Sequence, residues 1–162
     1  MQVLVNDSKK FIEGGITVGK KREYLVKSAQ GKYLCFLDDD DTIPNNYVEV
    51  LLRLCMLDQD ICTFRSIFKC DFYWSIIDMS IHHPENEQAT PERIVKRKAW
   101  HICPVRSEFA KKYDFEDINN AEDWRWFEQV LTQVTSEAKC DMVLHQYNHS
   151  SSHSAVDEIE KT

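Results

Sequence analysis

The chain has 162 residues and a formal net charge of −7, from 20 Lys and Arg against 27 Asp and Glu. Hydrophobic residues make up 43% of it, which suits one ordinary core and is too little for two comfortable domains. The acidic balance argues against nucleic acid as a partner, and no apolar run reaches the length of a transmembrane segment, about 18 residues. We therefore expect a soluble protein with a single domain over residues 1–162.

The start of the chain lacks the basic residues and the apolar run of a secretory signal, which predicts a cytoplasmic protein. Six cysteines are scattered singly, and no Cys-x-x-Cys pair occurs among them. Thiols stay reduced in the cytoplasm, so free buried cysteines are favoured over a disulfide framework or a zinc cluster.

The first half of the chain alternates between strand and helix signals. Residues 3–5 are apolar and precede a polar loop, which predicts a short buried strand. Apolar residues recur at helical spacing over 18–30 and 44–57, and they predict two helices that cover a sheet. Residues 33–37 are apolar at every position, as in a central strand, and 61–64 predicts a further strand. This order predicts an α/β fold, a three-layer sandwich around a mostly parallel sheet with 33–37 near its centre.

The second half is less regular. Its predicted elements are an extended segment at 72–79, short helices near 107–112 and 121–132, and a strand at 142–145. A polar loop over 82–91 precedes a basic cluster at 93–98, which is more typical of a solvated face than of a phosphate site. Residues 155–162 are predicted to fray.

Four consecutive carboxylates, Asp38 to Asp41, follow the apolar run. Like charges this close repel, so the fold must supply a cation, hydrogen-bond donors or raised pKa values. In an extended segment alternate residues share a face, which places Asp38 and Asp40 together as hard oxygen ligands for Mg²⁺ or Mn²⁺. The alternative is a solvated acidic turn in which Asp41 or Thr42 caps the next helix.

A longer pattern surrounds these carboxylates. It comprises Lys21-Arg22, then Gly31 to Asp41, Cys62-Thr63-Phe64-Arg65, Glu122-Asp123 followed by Trp124 and Phe127, and Tyr147-Asn148-His149-Ser150. In this order the segments resemble family 2 glycosyltransferases of the GT-A fold, with their "f-L-D-x-D-D", "d-x-x-x-f-R", "E-D-x-x-f" and "Y-r-x-H-x-x-S" elements. A complete member carries a strand and a helix ahead of the segment that resembles 3–5. The resemblance therefore implies a form that lacks this first unit.

The resemblance implies transfer of a sugar from a nucleotide-diphosphate donor to a hydroxyl of a saccharide or other acceptor. UDP is the favoured nucleotide, Mn²⁺ or Mg²⁺ the implied cofactor, and inversion at the anomeric carbon the implied outcome. Residues 1–70 would be the nucleotide-sugar and metal-binding half, and 71–154 the acceptor-side half. The oligomeric state is left open.

The resemblance also implies roles for single residues. The implied metal ligands are Asp38, Asp40 and His149, with His145 buried beneath the last. The implied nucleotide-sugar contacts are Asp7, Lys21, Arg22, Asp38 and Asp39. The implied catalytic carboxylates are Asp123, as the base that takes the acceptor proton, and Glu122.

Two of these carboxylates have a local explanation as well. With Asn120 as the N-cap, Glu122 and Asp123 fall in the first turn of a helix, where the dipole favours negative charge. Trp100, beside the basic cluster, and Trp124, next to the proposed base, offer flat apolar surfaces for an acceptor sugar.

Two other functions are compatible with the sequence. Asp38-x-Asp40-x-Thr42 matches the signature of haloacid dehalogenase type phosphatases, in which Asp38 would be the nucleophile and Asp40 the acid and base. The chain would alternatively be a shortened, noncatalytic module that binds a nucleotide sugar. Trapping of an aspartyl-phosphate analogue on Asp38 would favour the phosphatase, and nucleotide-dependent metal affinity would favour the transferase.

Overall fold

The computed structural model describes residues 1–5 and 14–149. Within them, the helices are α1 (Val18–Ser28), α2 (Tyr47–Cys55), α3 (Ser107–Ala110) and α4 (Glu122–Leu131). The strands are β1 (Tyr33–Leu34), β2 (Ile61–Lys69), β3 (Trp74–Met79), β4 (Ile94–Arg97), β5 (Val105–Arg106) and β6 (Glu137–Asn148). The fold is therefore of the mixed α/β class.

The strands form one sheet with β2 in the middle. Strand β6 runs parallel to β2 along one of its edges. Along the other edge, β2 pairs antiparallel with β3 over residues 65–69 and with β5 at Ile61. Strand β1 pairs with β5, and β4 pairs with β3, so β1 and β4 lie at the two ends of the sheet.

A mostly parallel sheet is not confirmed. The pairings of β2 with β6 and of β3 with β4 are parallel, whereas β1 with β5, β2 with β5 and β2 with β3 are antiparallel. One physical reason lies in residues 70–73, which connect β2 to β3. A connection this short can join only antiparallel neighbours, because a parallel crossover takes about a dozen residues or more.

The prediction that residues 33–37 form a central strand is wrong. The first two residues alone pair, at the end of the sheet, and Leu37 is 44% exposed. Phe36 is half-buried by edge contacts of its ring with Phe115 and Trp126. The apolar run thus reflects packing against α4 and the segment before it, rather than a position inside the sheet.

The buried strand predicted at residues 3–5 is also wrong. Val3 and Val5 are 71% and 84% exposed, and residues 1–5 form no strand. The side-chain oxygen of Gln2 accepts a hydrogen bond from the Gln30 backbone N–H just after α1. Within the described residues, β1 therefore has β5 as its partner and a free outer edge.

The predicted helices at 18–30, 44–57, 107–112 and 121–132 are confirmed as α1 to α4, each with shorter ends. The predicted strands at 61–64 and 142–145 are confirmed as parts of the longer β2 and β6. Helix α2 packs on these two strands, where the ring of Tyr47 meets that of Phe64 edge-on.

Helix α1 begins at Thr17, whose hydroxyl accepts a hydrogen bond from the Lys20 backbone N–H. Its first turn lies against residues 116–118, where the Gly19 backbone N–H donates to the Ile118 carbonyl. A Cβ on Gly19 would collide with the Glu116 carbonyl oxygen.

Replacing Gly19 by Ala is therefore expected to lower the free energy of unfolding by about 1–3 kcal/mol, because backbone must move to admit the methyl group. Lys20→Ala, one residue along the same helix and exposed, should change it by no more than about 0.5 kcal/mol. Urea unfolding of the two variants measures the difference. Equal stabilities would show that the helix shifts without cost.

All six cysteines are free thiols, as predicted. They do not act as crosslinks, and Cys62 and Cys103 are fully buried in the core. Among the helices of the described residues, none has the length and apolarity needed to cross a bilayer.

Candidate active site

A cleft of about 270 Å³ opens on one face of the sheet. Its floor is set by strand register, because directly paired residues point to the same side. Ser66 of β2 pairs with Ile77 and His145, and Phe68 pairs with Tyr147. Met79 of β3 pairs with Arg97 of β4, which completes a mostly apolar floor.

The acidic segment closes one side of this cleft, and it is a turn rather than an extended strand end. The Asp41 backbone N–H donates to the Asp38 carbonyl, and Asp39 and Asp40 lie exposed at the corner. The expected alternation of faces is therefore wrong. Asp38 and Asp41 line the cleft, and the two residues between them face solvent.

Asp38 is held by two neighbours. The Arg22 Nη2 group donates to its Oδ1 at 2.9 Å, and the His101 ring nitrogen Nε2 lies 3.5 Å from its Oδ2. Burial alone would raise the pKa of Asp38, but the imidazole and the guanidinium together outweigh burial and hold this pKa well below its ordinary value of 3.8. Asp38 is thus kept as a carboxylate.

Arg22 joins the acidic turn to the start of α4. Its Nε donates to Glu122 Oε1 at 3.1 Å, and the side chains of Arg22 and Glu122 are only 13% and 6% exposed. The guanidinium also lies 5.0 Å from the centre of the Phe36 ring. The buried carboxylate of Glu122 and the half-buried one of Asp38 therefore share one cation.

Asp41 is bound from strand β6. Its Oδ2 lies 2.8 Å from His145 Nε2, and the other ring nitrogen, Nδ1, lies 2.7 Å from Ser66 Oγ. The Asn148 backbone N–H donates to Asp41 Oδ1, while a short bridge between Thr42 and Gln146 continues the link. These contacts fix the turn to the sheet, so Asp41 has a structural task. His145 is buried, as expected.

His101 lies between two carboxylates that come from separate segments of the chain. Its Nδ1 lies 3.1 Å from Asp123 Oδ2, and its Nε2 faces Asp38. The ring is buried, yet neither nitrogen has hydrogen-bond geometry with any partner among the described residues. The ring of His101 thus stands between the carboxylates of Asp38 and Asp123.

The first residues of α4 present the proposed base. The N-cap is Ala121 rather than the predicted Asn120, and Ala121 has a left-handed backbone with φ of 61°. Such a conformation is strained for a residue with a Cβ, and it recurs at functional sites. Asp123 Oδ1 accepts a hydrogen bond from the Trp124 backbone N–H, so the first-turn environment expected for this carboxylate is present. Its other oxygen faces His101.

The two proposed acceptor residues meet beside the proposed base. Trp100 and Trp124, with Asp123 and His101, line a small cavity of about 20 Å³. Trp100 also lines the large cleft, whereas Trp124 is 47% exposed. The structure therefore brings both rings to the same cavity as Asp123.

The remaining proposed site residues are more dispersed. His149 stacks on Phe68 with ring centres 5.7 Å apart, and Lys21 lies half-buried on α1. Asp7 lies outside the described residues. Among those that are described, no three His, Cys, Asp or Glu side chains converge as a metal site. Asp38 and Asp40 carry carboxylate oxygens, the kind of donor that Mn²⁺ and Mg²⁺ take, with Asp38 half-buried at the cleft and Asp40 exposed at the corner of the turn.

Sequence reasoning missed two parts of this site. His101 gives no local signal, because its role depends on residues far away in the chain on both sides. His145 contacts Ser66 through one ring nitrogen and Asp41 through the other. Ser66 and His145 come together only because β2 pairs with β6. A cue existed for Arg97, since it lies two residues after the buried Val95 and therefore shares its face of β4.

Comparisons with known proteins agree with this architecture. The chain is similar in structure to a crystal structure of S. aureus TarS, residues 1–349, with a TM-score of 0.59 and 15% identity over 82% of this chain and 40% of that one. It thus spans about two fifths of the TarS chain. No curated protein sequence matches.

The pattern of Glycosyl transferase family 2 matches residues 15–120 of the chain. This match covers α1, the acidic turn, the sheet from β1 to β5 and His101. It extends over more than half of the sequence, and the fold agrees with it. The chain belongs to glycosyl transferase family 2.

Proposed function

We propose that the cleft transfers a sugar from a nucleotide-diphosphate donor to a hydroxyl acceptor, with inversion at the anomeric carbon. One observation carries this proposal. Asp123 stands at the start of α4 with one oxygen 3.1 Å from a ring nitrogen of His101, in a cleft that also holds Trp100. A fixed carboxylate beside an aromatic wall suits removal of a proton from a sugar hydroxyl.

In the proposed reaction Asp123 accepts the proton of the acceptor hydroxyl as its oxygen attacks the anomeric carbon. The new carbon–oxygen bond forms on the face of the anomeric carbon opposite the diphosphate. The bond between that carbon and the diphosphate breaks, and the diphosphate leaves with the electron pair. His101 keeps the carboxylate oriented, and Glu122 is held by Arg22 and takes no proton in this scheme. Charge that develops on the leaving diphosphate needs positive charge near the acidic turn.

A bound Mn²⁺ or Mg²⁺ would supply that positive charge. Asp40 and Asp38 are the ligands we propose, with His149 as a further candidate. We propose that the nucleotide is that of a UDP-sugar and that it contacts Asp7, Lys21 and Asp39. It would also contact Arg22, through the side of the guanidinium that Asp38 and Glu122 leave free. The free cysteines support a reducing, cytoplasmic location.

The phosphatase alternative is less well supported. Asp38, which would be its nucleophile, already contacts Arg22 and His101. The strand before it, β1, pairs antiparallel with β5. A noncatalytic module would bind a nucleotide sugar without turnover. The test is a screen of nucleotide sugars for Mn²⁺-dependent binding, hydrolysis and transfer, on this chain and on an N-terminally extended one. If both chains bind a nucleotide sugar and neither releases nucleoside diphosphate, the noncatalytic module is favoured.

Replacing Asp40 by Ala is expected to weaken Mn²⁺-dependent UDP binding by about tenfold or more, because the metal loses an oxygen ligand that the diphosphate cannot replace. Calorimetry with and without Mn²⁺ measures this. Asp114→Ala, a 73% exposed carboxylate beside Lys27, is the control and should bind as the wild type does. If Asp40→Ala keeps the full metal-dependent affinity, Asp40 is not a ligand.

A further inference from the structure

Arg97 is the exception on the floor of the cleft. The floor row at this point is Met79 paired with Arg97, and Val95 before it is 4% exposed. An arginine therefore stands in a row of apolar side chains on one face of the sheet. Its neighbour Lys98 also lines the cleft.

The charge of Arg97 has no counterion among residues 1–5 and 14–149. Its Nε donates to the Glu87 carbonyl oxygen at 3.0 Å, and no carboxylate of the described residues pairs with it. Burial lowers the pKa of Arg97, which is the expected effect of moving a cation out of water. A half-buried guanidinium without a counterion costs folding free energy, and an anionic ligand would offset that cost.

The opposite face of the same strands satisfies its charges internally. Asp78 there contacts Arg65 at 3.2 Å, His83 at 3.1 Å and Lys139 at 2.8 Å. Lys96, which alternates with Arg97, pairs with Asp78 in strand register and is exposed. The fold thus neutralises charge on one face and leaves Arg97 open on the face of the cleft.

The backbone around Arg97 is held in place. The Lys98 backbone N–H donates to Asn86 Oδ1 at 2.8 Å, and the Lys96 backbone N–H donates to Glu87 Oε2 at 2.8 Å. The guanidinium is steadied at Nε while its terminal N–H groups remain available. A planar fork of this kind matches the oxygens of a carboxylate or a phosphate.

We propose that Arg97, assisted by Lys98, binds an anionic group, a phosphate or a carboxylate, on the acceptor substrate. This inference rests on the proposed transferase function. The acceptor is favoured over the donor because Lys98, the neighbour of Arg97, lines the small cavity that Trp100, Asp123 and Trp124 also line. No residue of the acidic turn, where the donor diphosphate is proposed to lie, lines this cavity. The acceptor is then a sugar or similar hydroxyl compound with a negative charge and an apolar part that meets Phe68 and Met79.

The experiment compares glucose 6-phosphate with glucose as probes, by calorimetry without donor. The wild type should bind the phosphorylated probe about tenfold more tightly, and Arg97→Gln should remove this preference. Lys96→Gln removes a charge of the same sign one residue away, on the other face, and should retain the preference for the phosphorylated probe. Lys98→Gln should weaken the preference, and it serves as the test if Arg97→Gln fails to fold by circular dichroism.

Several outcomes would overturn the proposal. One is equal binding of both probes by the wild type, and another is an equal effect of Lys96→Gln and Arg97→Gln, which would indicate only the general field of the basic segment. A loss of UDP affinity in Arg97→Gln that matches its loss of probe affinity would assign Arg97 to the donor.

The screen for transfer separates this proposal from the proposed function. If transfer occurs, Arg97→Gln should raise the KM for an anionic acceptor and leave the donor KM unchanged. If no nucleotide sugar is turned over while the Arg97-dependent preference persists, the transferase function and the acceptor role fail together, and an anion site remains.

Discussion

Replacing Asp123 by Asn should lower sugar transfer by about 100-fold or more and leave donor affinity unchanged. Asn has nearly the same shape, and its amide oxygen can still accept the hydrogen bond from the Trp124 backbone N–H at the start of α4. It cannot accept a proton from an attacking hydroxyl. Initial rates at saturating donor measure the first expectation, and calorimetry with UDP and Mn²⁺ measures the second.

The control for this experiment is Asp114→Asn, which removes an exposed carboxylate beside Lys27 and should transfer at the wild-type rate. A pH profile adds a second readout, because loss of the base should remove the rise in rate that follows its ionisation. If Asp123→Asn transfers normally and is instead less stable, the carboxylate serves only the first turn of α4. The base would then have to be sought elsewhere in the cleft.

Replacing Arg22 by Met should lower the free energy of unfolding by about 3 kcal/mol or more. The side chain of Glu122 is 6% exposed, and without Arg22 its carboxylate stays buried with no cation. Arg53→Met is the control, because Arg53 pairs with Glu49 on the surface, where the two side chains are 76% and 63% exposed. Such a pair contributes about 0.5 kcal/mol or less. Equal losses in urea unfolding would contradict a buried bridge.

The same substitution should change the response to acid. The folded-state pKa of Asp38 lies below 3.8, so its ionised form favours the folded state. That contribution is complete above about pH 4 and is lost as the pH falls toward the folded-state value. In Arg22→Met the pKa should move back upward, and the part of the acid sensitivity due to Asp38 should diminish.

The helices were predictable because their signals are local. The apolar spacing that predicts α2 is a property of neighbouring residues, and the structure differs by a few residues at each end. Strand positions depend on partners instead. Residues 33–37 have the composition of a central strand. Within them, however, Phe36 packs against Phe115 and Trp126, which lie about 80 to 90 residues further along the chain.

The site divides in the same way. Asp38 and Asp123 were recognisable because they belong to a known sequence pattern, which states residue types in order. An acidic turn was one of the two alternatives for residues 38–41, but the sequence could not show what holds it, because the contacts of Asp41 with His145 and Asn148 join distant parts of the chain. Nor did the sequence indicate His101, whose two carboxylate neighbours come from separate elements.

The ion pair of Arg22 with Glu122 joins residues 100 positions apart, and the contact of Asp41 with His145 spans 104. Loop closure over such distances is entropically expensive and slow, so neither contact can guide the early collapse of the chain. The helices and the β2–β3 hairpin have local contacts and can form first. We therefore expect the cleft to form late, when β6 docks beside β2, and a chain that stalls before this step to have its secondary structure without the cleft.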